Sequence, residues 1–475
     1  MSLELYIDGA WAPSVGTEWI EVLDPSTEKS LTDVPAGDPA DVDRAVAAAR
    51  RALDGWAATA PSERAAVVTR LADELERRQE ELTDLVVAEV GTPRRTARWA
   101  QVGLGILDLR EAVTAARDFP WEQPLRNSVV VREPVGVVGA ITPWNYPLHQ
   151  ITAKVGAALI AGCAVVVKAS EVAPLTANLL AEAVDAVGVP AGVFNLVHGS
   201  GHVVGEALAR HADVDMVSFT GSNAVGKRII ELSAATVKRV SLELGGKSAA
   251  LLLPDLTDDE FARAVPHTVR ACYMNGGQSC NAQTRMLVPR ERLGVAEELA
   301  ARAAEAYVPG DPAADTTRLG PMVTATQRDK VLGYVRTALD EGARLVTGST
   351  EPLDGDGYFV APTVLADVAP DATVAQEEVF GPVLSIIAFD SEEEAVAIAN
   401  GTVFGIAGAV WSTDSAHAET VARRIRATQI EINGGGFNGA APFGGFKQSG
   451  HGREGGAFGL DEFVEIKSMQ FRPTS

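Results

Sequence analysis

The sequence predicts an α/β protein whose strands lie in parallel sheets. From about residue 129 onward, short runs rich in valine and isoleucine recur, and each is followed by a stretch with helical spacing of its apolar residues. Strands that alternate with helices are typical of βαβ units, which form parallel sheets. The chain has 475 residues, of which 46% are hydrophobic. A chain of this length exceeds one compact core, so we expect two or three domains of roughly 100–200 residues each.

The first part of the chain is predicted to be mainly helical after a short strand-like start. Asp38-Pro39 is typical of a helix N-cap followed by proline at the first helical position. The segment 62–90 has helical apolar spacing, and it ends at Gly91 with Pro93 beyond. We therefore expect one long helix between Ser62 and Val90.

The strand-like runs follow in two series. The first series comprises Val137–Ile141, Ala164–Val167, Val193–Val197, Met216–Phe219 and Val240–Leu242.

After Gly245-Gly246, the second series begins with a strand at Ala249–Leu252 and a helix from about Asp258 to Tyr273. A loop, Asn275–Ser279, comes next, and further alternating segments continue to about residue 430. The tail from Phe463 to Phe471 alternates like an edge strand.

Charge and composition exclude several classes of function. The formal net charge of −22 repels phosphate backbones, which argues against nucleic-acid binding. The longest run of low polarity, residues 155–167, is shorter than the about 20 residues that span a bilayer, and Met1 to Ile7 do not resemble a signal peptide. Three cysteines make no disulfide framework, so we expect a reduced, cytoplasmic protein. The seven histidines show no metal-binding spacing, which predicts no catalytic metal.

Two residues are candidates for covalent chemistry. Cys280 follows the glycine-rich segment Asn275-Gly-Gly-Gln-Ser, where a substrate and backbone N–H donors can reach a thiol. Cys163 and Cys272 lie in a strand and a helix and fit buried structural thiols, which is also the alternative for any single cysteine. Glu243 ends a predicted strand between leucines and glycines, so it is either a desolvated general base or an exposed glutamate.

Glycine-rich turns and a short polar motif are candidates for cofactor binding. Gly221-Ser-Asn-Ala-Val-Gly-Lys227 follows a strand and opens a helix, a geometry that suits a pyrophosphate. It is not a nucleotide-triphosphatase loop, because Arg228 stands where a serine or threonine must bind magnesium. The glycines of 199–205 are spaced one residue too far apart for a dinucleotide fingerprint. Lys168-Ala-Ser-Glu171 ends a strand and is either a ribose site or a surface turn.

Taken together and in this order, these motifs resemble the aldehyde dehydrogenase superfamily over essentially the whole chain. The motifs that carry the resemblance are Thr142-Pro-Trp-Asn145-Tyr-Pro147, Lys168-Ala-Ser-Glu171, Phe219-Thr-Gly-Ser222, Leu242-Glu-Leu-Gly-Gly-Lys247, Gly277-Gln-Ser-Cys280, Glu377-Glu-Val-Phe-Gly-Pro382 and Pro442-Phe-Gly-Gly-Phe-Lys-Gln-Ser-Gly450 with Gly452-Arg-Glu454.

The resemblance implies three structural units. A Rossmann-like, parallel-sheet NAD-binding domain would take residues 1–120 and 137–245, and an α/β catalytic domain would take 246–456. A small β oligomerisation arm would combine 121–136 with 457–475, and a partner subunit would cover its open edge. The implied assembly is a homodimer or a homotetramer.

The resemblance also implies the chemistry. Cys280 would attack the aldehyde carbon, Asn145 and the Cys280 backbone N–H would hold the oxyanion, and Glu243 would activate the water that hydrolyses the thioester. Lys168 and Glu171 would bind the adenosine ribose. The implied cofactor is NAD, because Glu171 would repel a 2′-phosphate, with NADP as the alternative, because Ser170 is a phosphate donor.

The remaining cofactor contacts implied by the resemblance lie in the same motifs. Ser222 would contact the pyrophosphate, and Glu378 would hold the nicotinamide ribose with Phe380 beside it. The full set of predicted cofactor residues is Ile141, Thr142, Pro143, Trp144, Lys168, Ser170, Glu171, Gly201, Phe219, Gly221, Ser222, Leu244, Glu378 and Phe380.

The predicted substrate pocket departs from common members of the family. Small residues, Ala153 and Gly434–Gly436, stand where many members place bulky aromatic groups. If Asn145 opened the helix that runs through Ile151, Ala153 would share its face, so we expect a wide pocket and a bulky apolar or aromatic aldehyde. The alternative is that Tyr146 or Phe437 fills the space. The predicted pocket residues are Tyr146, His149, Ala153, Met274, Ser279, Asn281 and Phe437.

Other functions stay open at this point. A coenzyme-A-acylating relative passes its thioester to a thiol and needs no water-activating base, so Glu243 argues against it. A non-catalytic, structural relative would be expected to lack Cys280, Asn145 or Glu243, and all three are present. A cysteine hydrolase needs a histidine near the nucleophile, and none lies near Cys280 in the sequence.

Overall fold

The computed structural model describes residues 3–472, which contain strands and helices in alternation. The strands are β1 Leu5–Ile7, β2 Ala10–Ala12, β3 Trp19–Leu23, β4 Ser30–Pro35, β5 Glu122–Leu125, β6 Ser128–Pro134, β7 Val137–Ile141, β8 Ala164–Lys168, β9 Phe194–Leu196, β10 Met216–Thr220, β11 Arg239–Glu243, β12 Ala249–Leu252, β13 Arg285–Pro289, β14 Arg344–Thr347, β15 Thr363–Ala366, β16 Val383–Phe389, β17 Ala407–Trp411, β18 Gln429–Ile432, β19 Gly450–His451 and β20 Val464–Gln470.

The helices cover the faces of these sheets. They are α1 Pro39–Ala57, α2 Pro61–Arg77, α3 Gln79–Val90, α4 Arg94–Thr96, α5 Gly103–Asp118, α6 Pro147–Ala161, α7 Leu175–Ala186, α8 Glu206–Arg210, α9 Asn223–Ser233, α10 Asp258–Tyr273, α11 Leu293–Ala304, α12 Ala325–Asp340, α13 Thr373–Gln376, α14 Glu392–Asn400, α15 Ser415–Ala422 and α16 Gly456–Glu462. A π-helical segment, Ala97–Val102, joins α4 to α5, and a second one, Gly201–Gly205, precedes α8.

The first large sheet has the strand order β19-β11-β10-β7-β8-β9-β1-β2. Its five central strands, from β11 to β9, run parallel, and β19, β1 and β2 join antiparallel. Strands β7, β8 and β10 are buried along their whole length, which explains their unbroken apolar sequences. The α/β class predicted from the alternating pattern is confirmed.

The second large sheet has the order β14-β15-β16-β13-β12-β17-β18, and only its edge strand β14 runs antiparallel to its neighbour. A three-stranded antiparallel sheet, β20-β6-β5, stands apart from both. Its strand β20 is the edge strand expected from the alternation of the tail. Strands β3 and β4 form a separate hairpin.

Helices α5 and α6 pack closely because glycines remove side chains from their contact. A methyl group on Gly156 of α6 would stand 2.9 Å from Cδ2 of Leu109, and one on Gly105 of α5 would stand 2.7 Å from Cγ of Leu148. The two helices therefore approach along their length, and α6 is buried almost throughout. This contact positions the first turn of α6, which adjoins the candidate site.

Two sequence expectations need correction. The segment 62–90 is two helices rather than one, because Arg78 leaves the helical conformation (φ −96°, ψ 16°) and forms ion pairs with Glu74 and Glu182. Helix α6 begins at Pro147 and not at Asn145, since Tyr146 has extended φ and proline favours the first helical position.

None of the helices within residues 3–472 is both long and apolar enough to cross a membrane.

Candidate active site

The carboxyl ends of the parallel strands in the first sheet bring four predicted motifs together. In the sheet register, Ile141 lies beside Lys168 and Phe219, and Thr220 lies beside Glu243. The motifs that follow these strands therefore emerge at one edge. In open α/β sheets, ligands bind at this edge.

The loop that carries Cys280 has a conformation that side chains rarely allow. After α10, Asn275, Gly276 and Gly277 all have positive φ, between 53° and 72°. A methyl group on Gly277 would stand 2.1 Å from the carbonyl oxygen of Gly381. Glycine is therefore required at this position both by the backbone angle and by the space.

Asn275 ties this loop to three other segments. Its Oδ1 atom accepts hydrogen bonds from Thr92 Oγ1 at 2.8 Å and from Gln101 Nε2 at 2.9 Å. Its Nδ2 atom donates to the backbone oxygen of Asn145 at 2.8 Å. All of these groups are buried, so the network fixes the loop relative to the turn before α6.

Asn145 lies in that turn with its side chain directed at the cysteine loop. Its Nδ2 atom donates to the backbone oxygen of Gln278 at 3.0 Å. A side-chain amide carries two N–H donors, so this bond leaves a second donor. The Asn145 amide is thus held by the residues that directly precede the thiol.

Cys280 lies half-buried at the end of this loop, unlike the buried Cys163 and Cys272. The backbone of Gly246 passes so close that a methyl group there would stand 2.1 Å from the Cys280 carbonyl oxygen. Burial, followed by the carboxylates of Glu378 and Glu243, raises the pKa of the Cys280 thiol above its ordinary value.

Glu243 ends β11 and is 2% exposed. Neither carboxylate oxygen has a hydrogen-bond partner among residues 3–472. Burial, with the neighbouring carboxylate of Glu454 second, raises the pKa of Glu243 well above its usual range, while the Lys154 ammonium opposes the shift. A buried carboxylate with a raised pKa is a stronger proton acceptor than an exposed one, as a general base requires.

A cavity of about 200 Å³ adjoins Cys280 and Asn145. It is lined by Pro143, Trp144, Asn145, Thr220, Gly221, Ser222, Leu244, Gly245, Cys280, Gln327, Lys330, Glu378 and Phe380.

Ser222 caps the N-terminus of α9, and its hydroxyl accepts from the Val225 N–H. A helix N-terminus that opens into a cavity favours an anionic group such as a pyrophosphate.

Comparison with known proteins identifies the family. The model of the aldehyde dehydrogenase family matches residues 11–469. The 3-succinoylsemialdehyde-pyridine dehydrogenase of a Pseudomonas species is 44% identical over 469 residues, which are 98% of this chain and 98% of that protein. The chain belongs to the aldehyde dehydrogenase family. The predicted activity class, an oxidoreductase that acts on an aldehyde group, is confirmed.

Solved aldehyde dehydrogenases share the fold. Aldehyde dehydrogenase C from Pseudomonas syringae, solved as a mutant with NAD⁺ and octanal, has a TM-score of 0.98 at 46% identity, over 99% of this chain and 97% of that one. The indole-3-acetaldehyde dehydrogenase AldA from the same species, solved with NAD⁺ and IAA, has a TM-score of 0.96 at 37% identity, over 99% and 97% of the two chains.

Nine of the predicted site residues line the cavity, and four lining residues were missed. Thr220, Gly245, Gln327 and Lys330 were not predicted. Thr220 and Gly245 lie next to residues that were predicted, so the motifs that contain them could have indicated both. Gln327 and Lys330 lie three residues apart on α12, in an ordinary amphipathic helix that carries no motif.

Glu378 and Phe380 lie between α13 and β16 and line the cavity. The Glu378 Oε1 atom accepts from the Gly246 N–H at 2.9 Å, and burial raises the pKa of Glu378 to about 7. Phe380 has positive φ (61°), and its ring meets Trp144 edge-on at 5.5 Å.

Lys168 and Glu171 form a second polar group at the same sheet edge. Lys168 Nζ lies 2.5 Å from Glu171 Oε2, and the Gly201 N–H donates to Glu171 Oε1 at 3.3 Å. Burial would raise the pKa of Glu171, but the Lys168 ammonium outweighs it and lowers the pKa. Ser170 is buried and accepts from the Val172 N–H. Among the other predicted cofactor residues, Ile141, Thr142 and Phe219 are buried behind the edge.

The predicted substrate residues divide into two groups. Tyr146 and Ser279 meet at 2.5 Å between their hydroxyl oxygens, and His149 packs edge-on against Tyr146. Ala153, Met274 and Asn281 are half-buried.

The second group lies on the loop after β18. Phe437 is 49% exposed, and its ring centre lies 6.5 Å from that of Phe443. Gly434 has positive φ and adjoins the Trp411 ring, where a methyl group would stand 2.9 Å from Cη2. Gly434 therefore allows the positive φ and the close approach to the Trp411 ring, and it adds little open space to the pocket.

Residues 3–472 contain no group of three or more His, Cys, Asp or Glu side chains that are placed to hold a metal ion.

Proposed function

We propose that the protein oxidises an aldehyde to a carboxylic acid with NAD through a thioester on Cys280. The observation that carries the proposal is the placement of Cys280, Asn145 and Glu378 around one cavity, with the Glu243 carboxylate near enough to raise the pKa of the Cys280 thiol. A nucleophile, an amide donor and a buried base are the groups that acyl chemistry on sulfur requires.

The first step uses Cys280 and Asn145. The Cys280 thiol gives its proton to solvent water, and the sulfur then bonds to the aldehyde carbon while the electron pair of the C=O bond moves to the carbonyl oxygen, which becomes an oxyanion. The second N–H of the Asn145 amide and the Cys280 backbone N–H stabilise that oxygen. One such donor contributes about 3 kcal/mol to transition-state stabilisation.

The residues of the cavity, together with the Lys168–Glu171 pair at the same sheet edge, suit NAD. Ser222 at the start of α9 would hold the pyrophosphate, Glu378 the nicotinamide ribose, and Lys168 with Glu171 the adenosine ribose. When bound, NAD supplies the acceptor for the hydride that leaves the thiohemiacetal carbon. Both Pseudomonas syringae relatives were solved with NAD⁺, which supports this choice.

Glu243 completes the reaction. It takes a proton from water, the water oxygen bonds to the thioester carbon, and the Cys280 sulfur leaves as the acid forms. The absence of hydrogen-bond partners among the described residues leaves the carboxylate free for this proton transfer. A water-activating role for Glu243 favours hydrolysis of the thioester over transfer of its acyl group to coenzyme A.

A bulky apolar or aromatic aldehyde is the proposed substrate class. The related enzymes solved with octanal and IAA support an apolar or aromatic ligand, and the half-buried methyl group of Ala153 is proposed to border it. The pyridine compound named for the Pseudomonas relative is of the same size class.

The predicted domains and assembly belong to this proposal. The two large sheets support the division into 1–120 with 137–245 and 246–456, although β19 crosses from the second range into the first sheet. The sheet β20-β6-β5 supports the arm of 121–136 and 457–475, because its strands expose Leu125, Ile466 and Met469. A homodimer or homotetramer that covers these side chains and a cytoplasmic location stay predictions.

The test is NADH formation with hexanal, with and without coenzyme A, combined with identification of the product. We expect NADH and hexanoic acid without coenzyme A. Formation of a coenzyme-A ester as the main product, or no NADH with any aldehyde, would contradict the proposal.

A further inference from the structure

The turn before α6 and the cysteine loop are joined by a closed ring of hydrogen bonds around Asn145. The Asn145 Nδ2 atom donates to the Gln278 carbonyl oxygen at 3.0 Å. The Asn275 Nδ2 atom donates to the Asn145 carbonyl oxygen at 2.8 Å and to the Gln278 carbonyl oxygen at 3.4 Å. Asn145 and Cys280 line the same cavity, so this ring adjoins the space in which the aldehyde would react.

Only one orientation of the Asn275 amide closes this ring. The two backbone oxygens are acceptors, so the amide nitrogen must face them, and its two N–H groups supply one donor to each. The Asn275 Oδ1 atom then lies on the other side of the amide. The residue is 5% exposed, and a buried acceptor without a donor is unfavourable, so Oδ1 needs donors from the protein.

Thr92 and Gln101 supply these donors. The Gln101 Nε2 atom donates to Thr92 Oγ1 at 2.7 Å and to Asn275 Oδ1 at 2.9 Å, which uses both of its N–H groups. The Thr92 hydroxyl donates in turn to Asn275 Oδ1 at 2.8 Å. Thr92 is 2% exposed and Gln101 is 0% exposed, so water does not compete for these bonds. The two residues therefore stabilise the orientation of the Asn275 amide that the ring requires.

We propose that Thr92 and Gln101 are positioning residues for oxyanion stabilisation, because they hold the Asn275 amide in the orientation that directs the Asn145 side chain. Neither residue lines the cavity, so both act through Asn275. The inference rests on the proposed function, in which Asn145 donates to the oxyanion. A displaced donor loses much of its catalytic effect, since oxyanion stabilisation depends on geometry that is fixed before the reaction.

The test compares a step that forms an oxyanion with one that does not. Acylation is measured as NADH formation in a single turnover, with the enzyme in excess over hexanal and with saturating NAD. Alkylation by iodoacetamide is the comparison, because the Cys280 sulfur displaces iodide from a methylene carbon and no carbonyl oxygen gains charge. Mass spectrometry of the peptide that contains Cys280 identifies the alkylated residue.

The double variant Thr92→Val/Gln101→Met removes the donors and nearly keeps the size of both side chains. We expect acylation to slow roughly ten-fold, while alkylation of Cys280 and the Kd of NAD change by less than about two-fold. Thr92→Ser keeps the hydroxyl and should retain most of the unmodified rate. Thr268→Val removes a buried hydroxyl of α10 that donates to the Ala264 carbonyl in the same helix. It is the matched control and should change neither rate.

A mutant cycle with Asn145→Ala tests whether Thr92 and Gln101 act through the Asn145 amide. In the Asn145→Ala background, the double variant should slow acylation by no more than about two-fold, since the group that it positions is already absent. A purely structural role would slow alkylation as well, and its full effect on acylation would appear in both backgrounds.

Three results would overturn the inference: unchanged acylation in the double variant, equal slowing of acylation and alkylation, or an undiminished loss of acylation in the Asn145→Ala background. If the double variant does not fold, Thr92→Val alone is taken through the same cycle, with a smaller expected loss. Failure of the proposed function is distinguishable, because the unmodified enzyme would then form no NADH with hexanal.

Discussion

Lys154 and Glu454 form a buried ion pair beside Glu243, with 2.5 Å between Lys154 Nζ and Glu454 Oε1. Lys154 Nζ also donates to Thr220 Oγ1 at 2.7 Å, and Thr220 is the residue that pairs with Glu243 in the sheet. The two charges act on Glu243 in opposite directions, since Glu454 raises its pKa and Lys154 lowers it. The proposed base is therefore tuned by residues that lie 89 positions before it and 211 after it in the chain.

This arrangement predicts a pH effect for Glu454→Gln. Removal of the Glu454 carboxylate lowers the pKa of Glu243, and the Lys154 ammonium, left without its counter-ion, lowers it further. Because Glu243 acts as a base when deprotonated, the acidic limb of the kcat–pH profile should move to lower pH. Glu462→Gln, which removes a weaker carboxylate influence, should give a smaller shift in the same direction. A shift to higher pH in Glu454→Gln would refute the tuning role.

The proposed nucleophile predicts a large effect for Cys280→Ala. Loss of the sulfur removes the covalent step, so NADH formation should fall by more than about 1,000-fold while NAD binding and the folded state persist. Cys272→Ala, at a buried thiol, is the control and should retain turnover. Substantial activity in Cys280→Ala would reject the assignment.

The proposed base predicts a change in the time course for Glu243→Gln. Acylation precedes the need for a base, so the variant should release a burst of about one NADH per site and then proceed slowly. Rapid-mixing absorbance of NADH measures both phases. If the burst disappears together with the steady state, Glu243 has a role before hydrolysis.

The charge on Glu171 predicts a preference for NAD. A carboxylate at the adenosine ribose repels a 2′-phosphate, so kcat/KM should be higher with NAD than with NADP. Glu171→Gln should reduce the ratio of kcat/KM with NAD to kcat/KM with NADP by roughly ten-fold. Ser170→Ala, at the neighbouring residue, should leave that ratio unchanged. Equal or better use of NADP by the unmodified enzyme would contradict this prediction.

The small side chain at position 153 predicts a preference for large aldehydes. Ala153→Trp would fill the proposed space, so kcat/KM for hexanal and phenylacetaldehyde should fall about ten-fold or more, while acetaldehyde changes by less than about three-fold. Ala153→Ser controls for substitution without bulk. Equal losses for all three aldehydes, or a better rate with acetaldehyde in the unmodified enzyme, would show that the pocket is not wide at this position.

Local sequence patterns were sufficient to predict the strands and most of the motifs that carry the candidate catalytic and binding residues. Val137–Ile141 and Ala249–Leu252 were predicted with the observed bounds, because fully buried parallel strands leave unbroken apolar runs between glycines and polar turns. The cap at Asp38-Pro39 and the end at Gly91 are likewise local, since each depends on the conformations that one residue allows. The break at Arg78 left no such signal, because its ion pair with Glu182 joins residues that are 104 positions apart.

The sequence by itself determined the alternation of strands and helices, the family motifs and the residue types at the site, because these depend on side-chain chemistry and near neighbours. Only the tertiary structure decided that Gln327 and Lys330 line the cavity, that Asp108 holds His149, and that Asn275 joins Thr92 and Gln101 to the cysteine loop. It also showed that Gly434 adjoins Trp411 and that α6 starts after Asn145. The physical reason is that burial and the electrostatic field at a group arise from every segment packed around it, and most of those segments are distant in the chain.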